Sequence, residues 1–176
     1  MYLYCKQYGL TLVELVVCIC VIGILASIST PYFLHILQER ERKNIFPLLD
    51  QHIKFAKNSA ILHHSTIIIC STSDLQSCQD DQWNAGILIF IDKNNNKQRD
   101  SNEPILQETK TQFKYGSLKW AGSITHQKLL AFRADSGLPR GSSGSFYYCS
   151  LDDPSLHLRF KMGQMAHLRQ ESTATC

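Results

Sequence analysis

Leu10 to Thr30 reads LTLVELVVCICVIGILASIST, 21 residues of nearly continuous apolar character broken by one charge, Glu14. A helix of that length crosses a hydrocarbon core about 30 Å thick, so the stretch predicts a segment that spans or anchors in a membrane. Lys6 precedes it, and Glu39, Arg40, Glu41, Arg42 and Lys43 follow, so flanking charge leaves its orientation open. A secretory signal peptide is the alternative. That form has a shorter apolar core, about 7–15 residues, and a small-x-small cleavage site, which Ala26-Ser27-Ile28-Ser29 could supply. Glu14 argues for a more specific role, because a carboxylate in a membrane segment costs about 2.5–3.5 kcal/mol on insertion scales and calls for a partner.

Downstream, Pro31 removes one helical hydrogen bond and predicts a bend near the membrane exit. From Tyr32 to Leu62 apolar residues return at Phe33, Ile36, Leu37, Ile45, Leu48, Leu49, Ile53, Ala56, Ala60 and Ile61, close to helical spacing. Residues 31–64 therefore read as an amphipathic continuation of the helix. After His64 the pattern changes to short β-like runs: TIIIC (66–70), GILIFID (86–92), QFKYGSLKW (112–120), KLLAFRA (128–134), SFYYCS (145–150) and LHLRFKM (156–162). A helix first and strands afterwards predict an α+β class, with a long helical spine packed against an antiparallel sheet.

A chain of 176 residues holds one ordinary domain plus a membrane segment. A formal charge of +3 is too small to imply nucleic-acid binding by itself. Charge is nevertheless uneven: seven acids face three bases between Ser65 and Thr109, whereas Lys110 to Arg140 carries six bases and one acid, Asp135. Such segregation is compatible with a basic face or with an ordinary solvated surface. Cys5, Cys18 and Cys20 lie at the apolar end, while Cys70, Cys78, Cys149 and Cys176 lie in the polar remainder. The even group suggests two disulfides, and hence a C-terminal part outside the cytoplasm. Zinc is the rival reading, but no C-x-x-C pair or histidine at finger spacing supports it.

Seven histidines, at 35, 52, 63, 64, 126, 157 and 167, have no Gly-x-Ser-x-Gly elbow, His-Glu-x-x-His helix or phosphate-cradling loop beside them, so no enzyme and no cofactor are predicted. Gly137 to Gly144 reads as a flexible connection between strands. Asp92, Asn94, Asn96, Gln98, Asp100 and Glu103 fall at the one, three, five, seven, nine and twelve spacing of a calcium loop. Lys97 occupies the position of the turn glycine, however, and Lys93, Lys97 and Arg99 oppose a cation, so the stretch reads as a hairpin loop with asparagine turns and no metal.

Gly9-Leu10-Thr11-Leu12-Val13-Glu14-Leu15 resembles the class III signal of type IV pilins and type II secretion pseudopilins, with Leu10 in place of the usual Phe and Tyr8 in place of the usual basic residue. The resemblance implies a leader, residues 1–9, that prepilin peptidase removes after Gly9 on the cytoplasmic side. It also implies N-methylation of Leu10, and a Glu14 carboxylate that pairs within the bilayer with the new amine of a neighbouring subunit. A second likeness covers the C-terminal part. Cys70 to Cys78, Trp83-Asn84-Ala85-Gly86, Ile89-Phe90-Ile91-Asp92, Asn94, Asn96, and Arg99-Asp100 to Glu103-Pro104 resemble the GspH/FimT family of minor pilins and pseudopilins. That family's pattern implies a pilin fold with a β-rich head, here 65–176, a membrane and assembly helix at 10–30, and pairing of Cys70 with Cys78 and Cys149 with Cys176. The implied protein is a minor type IV pilin, single-pass in the bacterial inner membrane with a periplasmic head. Its implied partners are prepilin peptidase, membrane lipid and other pilins; the alternatives are a minor pseudopilin of type II secretion and a DNA-binding pilin of natural transformation. For the last, the family's Gly-Arg-x-Arg motif is replaced by Gly163-Gln164-Met165-Ala166, leaving Lys161, Arg169 and His167 nearby, with Lys110, Lys114, Lys119 and Lys128 as further candidates for a basic face.

Overall fold

The computed structural model describes residues 11–123 and 127–176. One helix, α1 (Leu12–His63), is followed by eight strands: β1 (Thr66–Ser71), β2 (Gly86–Asp92), β3 (Ile105–Lys110), β4 (Gly116–Gly122), β5 (Leu129–Phe132), β6 (Gly144–Ser150), β7 (Leu158–Met162) and β8 (Leu168–Ser172). The chain divides into two compact units between Arg40 and Glu41, and α1 contributes to both. The class is α+β, a long helix with antiparallel sheets, as the pattern along the chain predicts.

In the first unit Pro31 lies within α1, which is helical on either side of it. Leu12, Val13, Ile19, Ile22, Ile24 and Leu25 are all more than half exposed, and none of this unit's apolar window is buried within the protein. Cys18 and Cys20 here carry free thiols.

In the second unit Ile45, Leu49, Ile53, Ala56 and Ala60 recur at three- and four-residue spacing, form one stripe of α1, and are all buried. That stripe meets the inner faces of two four-stranded sheets, ordered β3-β2-β1-β5 and β4-β6-β7-β8. Ile67, Ile69, Ile87 and Ile89 from the first sheet and Leu118, Phe146, Leu158 and Phe160 from the second complete this core. Each such side chain stabilises by about 1.5–3 kcal/mol on burial. The alternate residues Ile68, Cys70, Leu88, Phe90 and Ala131 form a second cluster on the far face of the first sheet. Burial on both faces explains why TIIIC and GILIFID lack alternation.

Trp83, almost wholly buried, stacks edge-on against Phe146 at 5.1 Å. Beside it Asn84 Oδ1 accepts from Leu118 N at 2.6 Å, and Asn84 O accepts from Gln112 N at 2.8 Å. The Trp83-Asn84-Ala85-Gly86 turn thereby ties β2 of one sheet to β4 of the other. His64 ends α1 in the left-handed region, φ 47°. Gly137 (φ 62°) passes so close to α1 that a Cβ there would meet Lys57 O at 2.7 Å, which requires glycine.

Two strands escaped the sequence reading, and one was placed too early. β3 and β8 are edge strands with few buried side chains, so their sequences ILQETK and LRQES carry little apolar signal. Residues 112–115 were expected to be extended with β4. Instead Gln112 takes φ 46°, and the amides of Lys114 and Tyr115 turn to a side chain of α1.

Candidate functional site

Glu14 lies in the first turn of α1. Its Oε2 accepts from Thr11 N at 3.1 Å and Thr11 Oγ1 at 3.2 Å, while Glu14 N donates to Thr11 Oγ1 at 3.3 Å. This is a reciprocal capping box, which satisfies donors that a helix start leaves orphaned. Sequence reasoning passed over it, although Thr-x-x-Glu before an apolar run is its signature. Gly9 and Leu10, the cleavage and methylation positions, lie outside the described residues.

The structure pairs Cys70 with Cys78, S–S 1.99 Å, and Cys149 with Cys176, S–S 2.04 Å. Bridges across 8 and 27 residues of chain restrict the unfolded state, with stabilisation of a few kcal/mol typical for each. The second fixes the chain beyond β8, where residues 173–176 would otherwise fray.

Glu41 was read only as one charge in a polar interval, yet it joins α1 to the second sheet. Its Oε2 accepts from Lys114 N at 2.8 Å, and its Oε1 accepts from Tyr115 N at 3.1 Å and from the Tyr148 hydroxyl at 2.9 Å. Burial, followed by the bond and charge of Glu41, pushes the Tyr148 phenol above its ordinary range, so it donates at any physiological pH. His52 makes a parallel link to the first sheet: Nδ1 lies 2.7 Å from Leu48 O and Nε2 2.9 Å from Thr109 Oγ1. Burial pushes its pKa down, so the ring is neutral; its contribution to stability is full above pH 6.5 and is lost as pH falls through the lowered folded value. Among the other described histidines, His35, His63, His64 and His167 are exposed and His157 is buried; His126 lies outside the described residues.

Lys161 and Arg169 come together. They sit directly opposite each other in the β7–β8 register, both exposed, with Arg159 opposite Glu171 one step along. The same outward face of the sheet carries Lys119 opposite Tyr147 in β4–β6 and Tyr147 opposite Arg159 in β6–β7. The Arg159 guanidinium lies 5.5 Å from the Tyr147 ring centre, and its Nε donates to Ser145 Oγ at 3.0 Å. A concavity of about 340 Å³ opens beside Lys161, His167, Arg169 and Glu171. Of the other lysines considered for a basic face, Lys119 joins this surface. Lys110 ends β3 in the other sheet, and Lys128 pairs with Asp80.

The family described as Type II transport protein GspH matches residues 48–163. No curated protein sequence matches the chain. Among solved structures, the chain is similar to the type IV minor pilin FimU of Pseudomonas aeruginosa (strain PAO1) in two crystal forms. One superimposes with a TM-score of 0.53 at 14% identity, covering 80% of this chain and 92% of that one. The other gives 0.51 at 15%, covering 76% and 91%. At such identity the likeness is one of fold.

Proposed function

Because the chain belongs to the GspH family, and is therefore a type IV pilin-like or pseudopilin-like protein, we propose that it is a minor pilin: a structural subunit that prepilin peptidase trims after Gly9 and that joins other pilins in an envelope filament. The observation that carries this reading is α1 itself. Its first unit leaves an apolar surface wholly unburied, with one acid at its start, while its second unit is the spine of a folded head. An apolar helix of this length is stable against lipid or against like helices, and bundling with other subunits supplies both in turn. In this reading residues 1–9 are the leader, 10–30 the membrane and assembly segment, 31–64 its amphipathic continuation, and 65–176 a periplasmic head. The amine created on Leu10 keeps its positive charge after methylation. In this reading the Glu14 carboxylate pairs with such an amine on a neighbouring subunit, where low dielectric strengthens the attraction. Chain recovered from membranes of cells containing prepilin peptidase is expected to begin at methylated Leu10. Recovery with Met1 in place would overturn the reading. Incorporation into a type II secretion filament in place of a pilus is the neighbouring possibility, separated by which machine's deletion strands the subunit in the membrane.

A DNA-binding role has one observation in its favour. Lys161 directly opposite Arg169 is an unfavourable cross-strand pair that a phosphate backbone would relieve. Fluorescence anisotropy of the detergent-solubilised chain with double-stranded DNA tests it. The reading requires micromolar binding that weakens steeply with salt, and that falls at least about tenfold in K161A/R169A. A filament subunit without this role shows little binding even at low salt.

A further inference from the structure

We propose that the loop between β2 and β3, residues 92–103, is a calcium site. Asp92 and Glu103 are both buried, at 1% and 2% exposure, and Asp92 Oδ1 has no hydrogen-bond partner although no solvent reaches it. Two carboxylates buried side by side without a cation repel each other and forgo hydration, which is costly.

The rest of the loop is drawn together by its own hydrogen bonds. Asp92 Oδ2 accepts from Lys97 N at 3.0 Å, and Glu103 accepts from Lys93 N at 2.7 Å and Asp100 N at 3.1 Å. Asn94 and Asn96 both donate to Asp100 Oδ2, at 2.7 and 3.0 Å, so these three side chains meet at one point. Asn94 Oδ1 and Asn96 Oδ1 each accept one main-chain amide and keep a second lone pair. Among the described residues no group of three His, Cys, Asp or Glu is placed to hold a metal alone. The proposed set joins Asp92, Asp100 and Glu103, at positions one, nine and twelve, with asparagine and main-chain oxygens at three, five and seven, an all-oxygen set that suits a hard cation such as calcium and not zinc or copper.

Both objections that the sequence raises lose their force in the fold. Lys97, at the glycine position, takes φ 64°, the conformation glycine would supply, and Asn95 takes φ 59°. Lys93 and Lys97 are exposed to solvent, and Arg99 reaches away to donate to Gln76 O at 3.0 Å.

The test is calorimetric titration of the oxidised full chain in detergent, stripped with chelator, with calcium chloride and in parallel with magnesium chloride. One calcium per chain is expected, with a Kd of roughly 10⁻⁴ to 10⁻³ M, as in extracellular modules, and a higher melting temperature when loaded. Asp92→Asn is expected to weaken binding at least about tenfold. Lys97→Gly, which removes a positive charge and the left-handed strain, is expected to tighten it several-fold; it carries the test should Asp92→Asn fail to fold. Folded wild-type chain giving no calcium heat up to about 10 mM overturns the proposal, as does magnesium binding equally well, or an affinity unmoved by Lys97→Gly.

Discussion

Glu41→Ala is expected to lower the stability of the head by about 3–5 kcal/mol, or roughly 10–20 °C in melting temperature for a unit of this size. The carboxylate accepts three hydrogen bonds from groups of the second sheet and its approach, Lys114 N, Tyr115 N and Tyr148 Oη. Bonds to a charged acceptor contribute about 1.5–3 kcal/mol each and are not additive when they share one group. The larger loss comes from Tyr148, a buried side chain whose hydroxyl would be left without its acceptor. Glu41→Gln keeps one acceptor oxygen and should cost about half as much. Thermal unfolding of the three chains in the same detergent decides it: a loss below about 1 kcal/mol for Glu41→Ala would show that the link is incidental.

Glu41 also marks where reading by sequence stops. Its neighbours Ile45 and Leu49 announce themselves by spacing, because burial on one helical stripe imposes a period. A polar residue that bonds to main-chain amides 73 and 74 residues away has no local signature. The same distinction sorts the strands. β1, β2 and β6 are central and rich in apolar residues, and were legible; β3 and β8 are edges whose pairing is supplied by neighbours. At the first turn of α1 the reverse happened, since the Thr11–Glu14 cap is written plainly in the chain but was overshadowed by the membrane reading of Glu14. The basic face was half legible. Lys161, Arg169 and Lys119 could be named from sequence, whereas Arg159 joins them only through register.

Gly9→Val is expected to leave the chain at its full 176 residues, with Met1 at its N-terminus and none of it in filaments. By resemblance, the peptidase accepts glycine before the cut, and a branched side chain there blocks the scissile bond. Without cleavage Leu10 has no free amine, so Glu14 lacks the charge that would offset its insertion cost of about 2.5–3.5 kcal/mol when a subunit moves into the bundle. The Thr11–Glu14 cap lies downstream of the cut and persists, and the head's melting temperature should not move. Intact mass and filament fractionation are the readouts. A Gly9→Val chain that still begins at Leu10, or that enters filaments as well as wild type, would sink the proposed processing.

The two sheets are threaded by one strand of traffic. The chain builds β1 to β3 in the first sheet, crosses to lay β4 in the second, returns for β5, and crosses again for β6 to β8. Neither sheet is finished before the other is under way, so no single cut of the polypeptide releases one sheet whole. Pairings such as Ile68 with Ala131, and Trp120 with Phe146, close long loops, which makes folding slow by topology alone. A head built this way has no stable half to fall back on: pulled or heated, it yields all at once or holds.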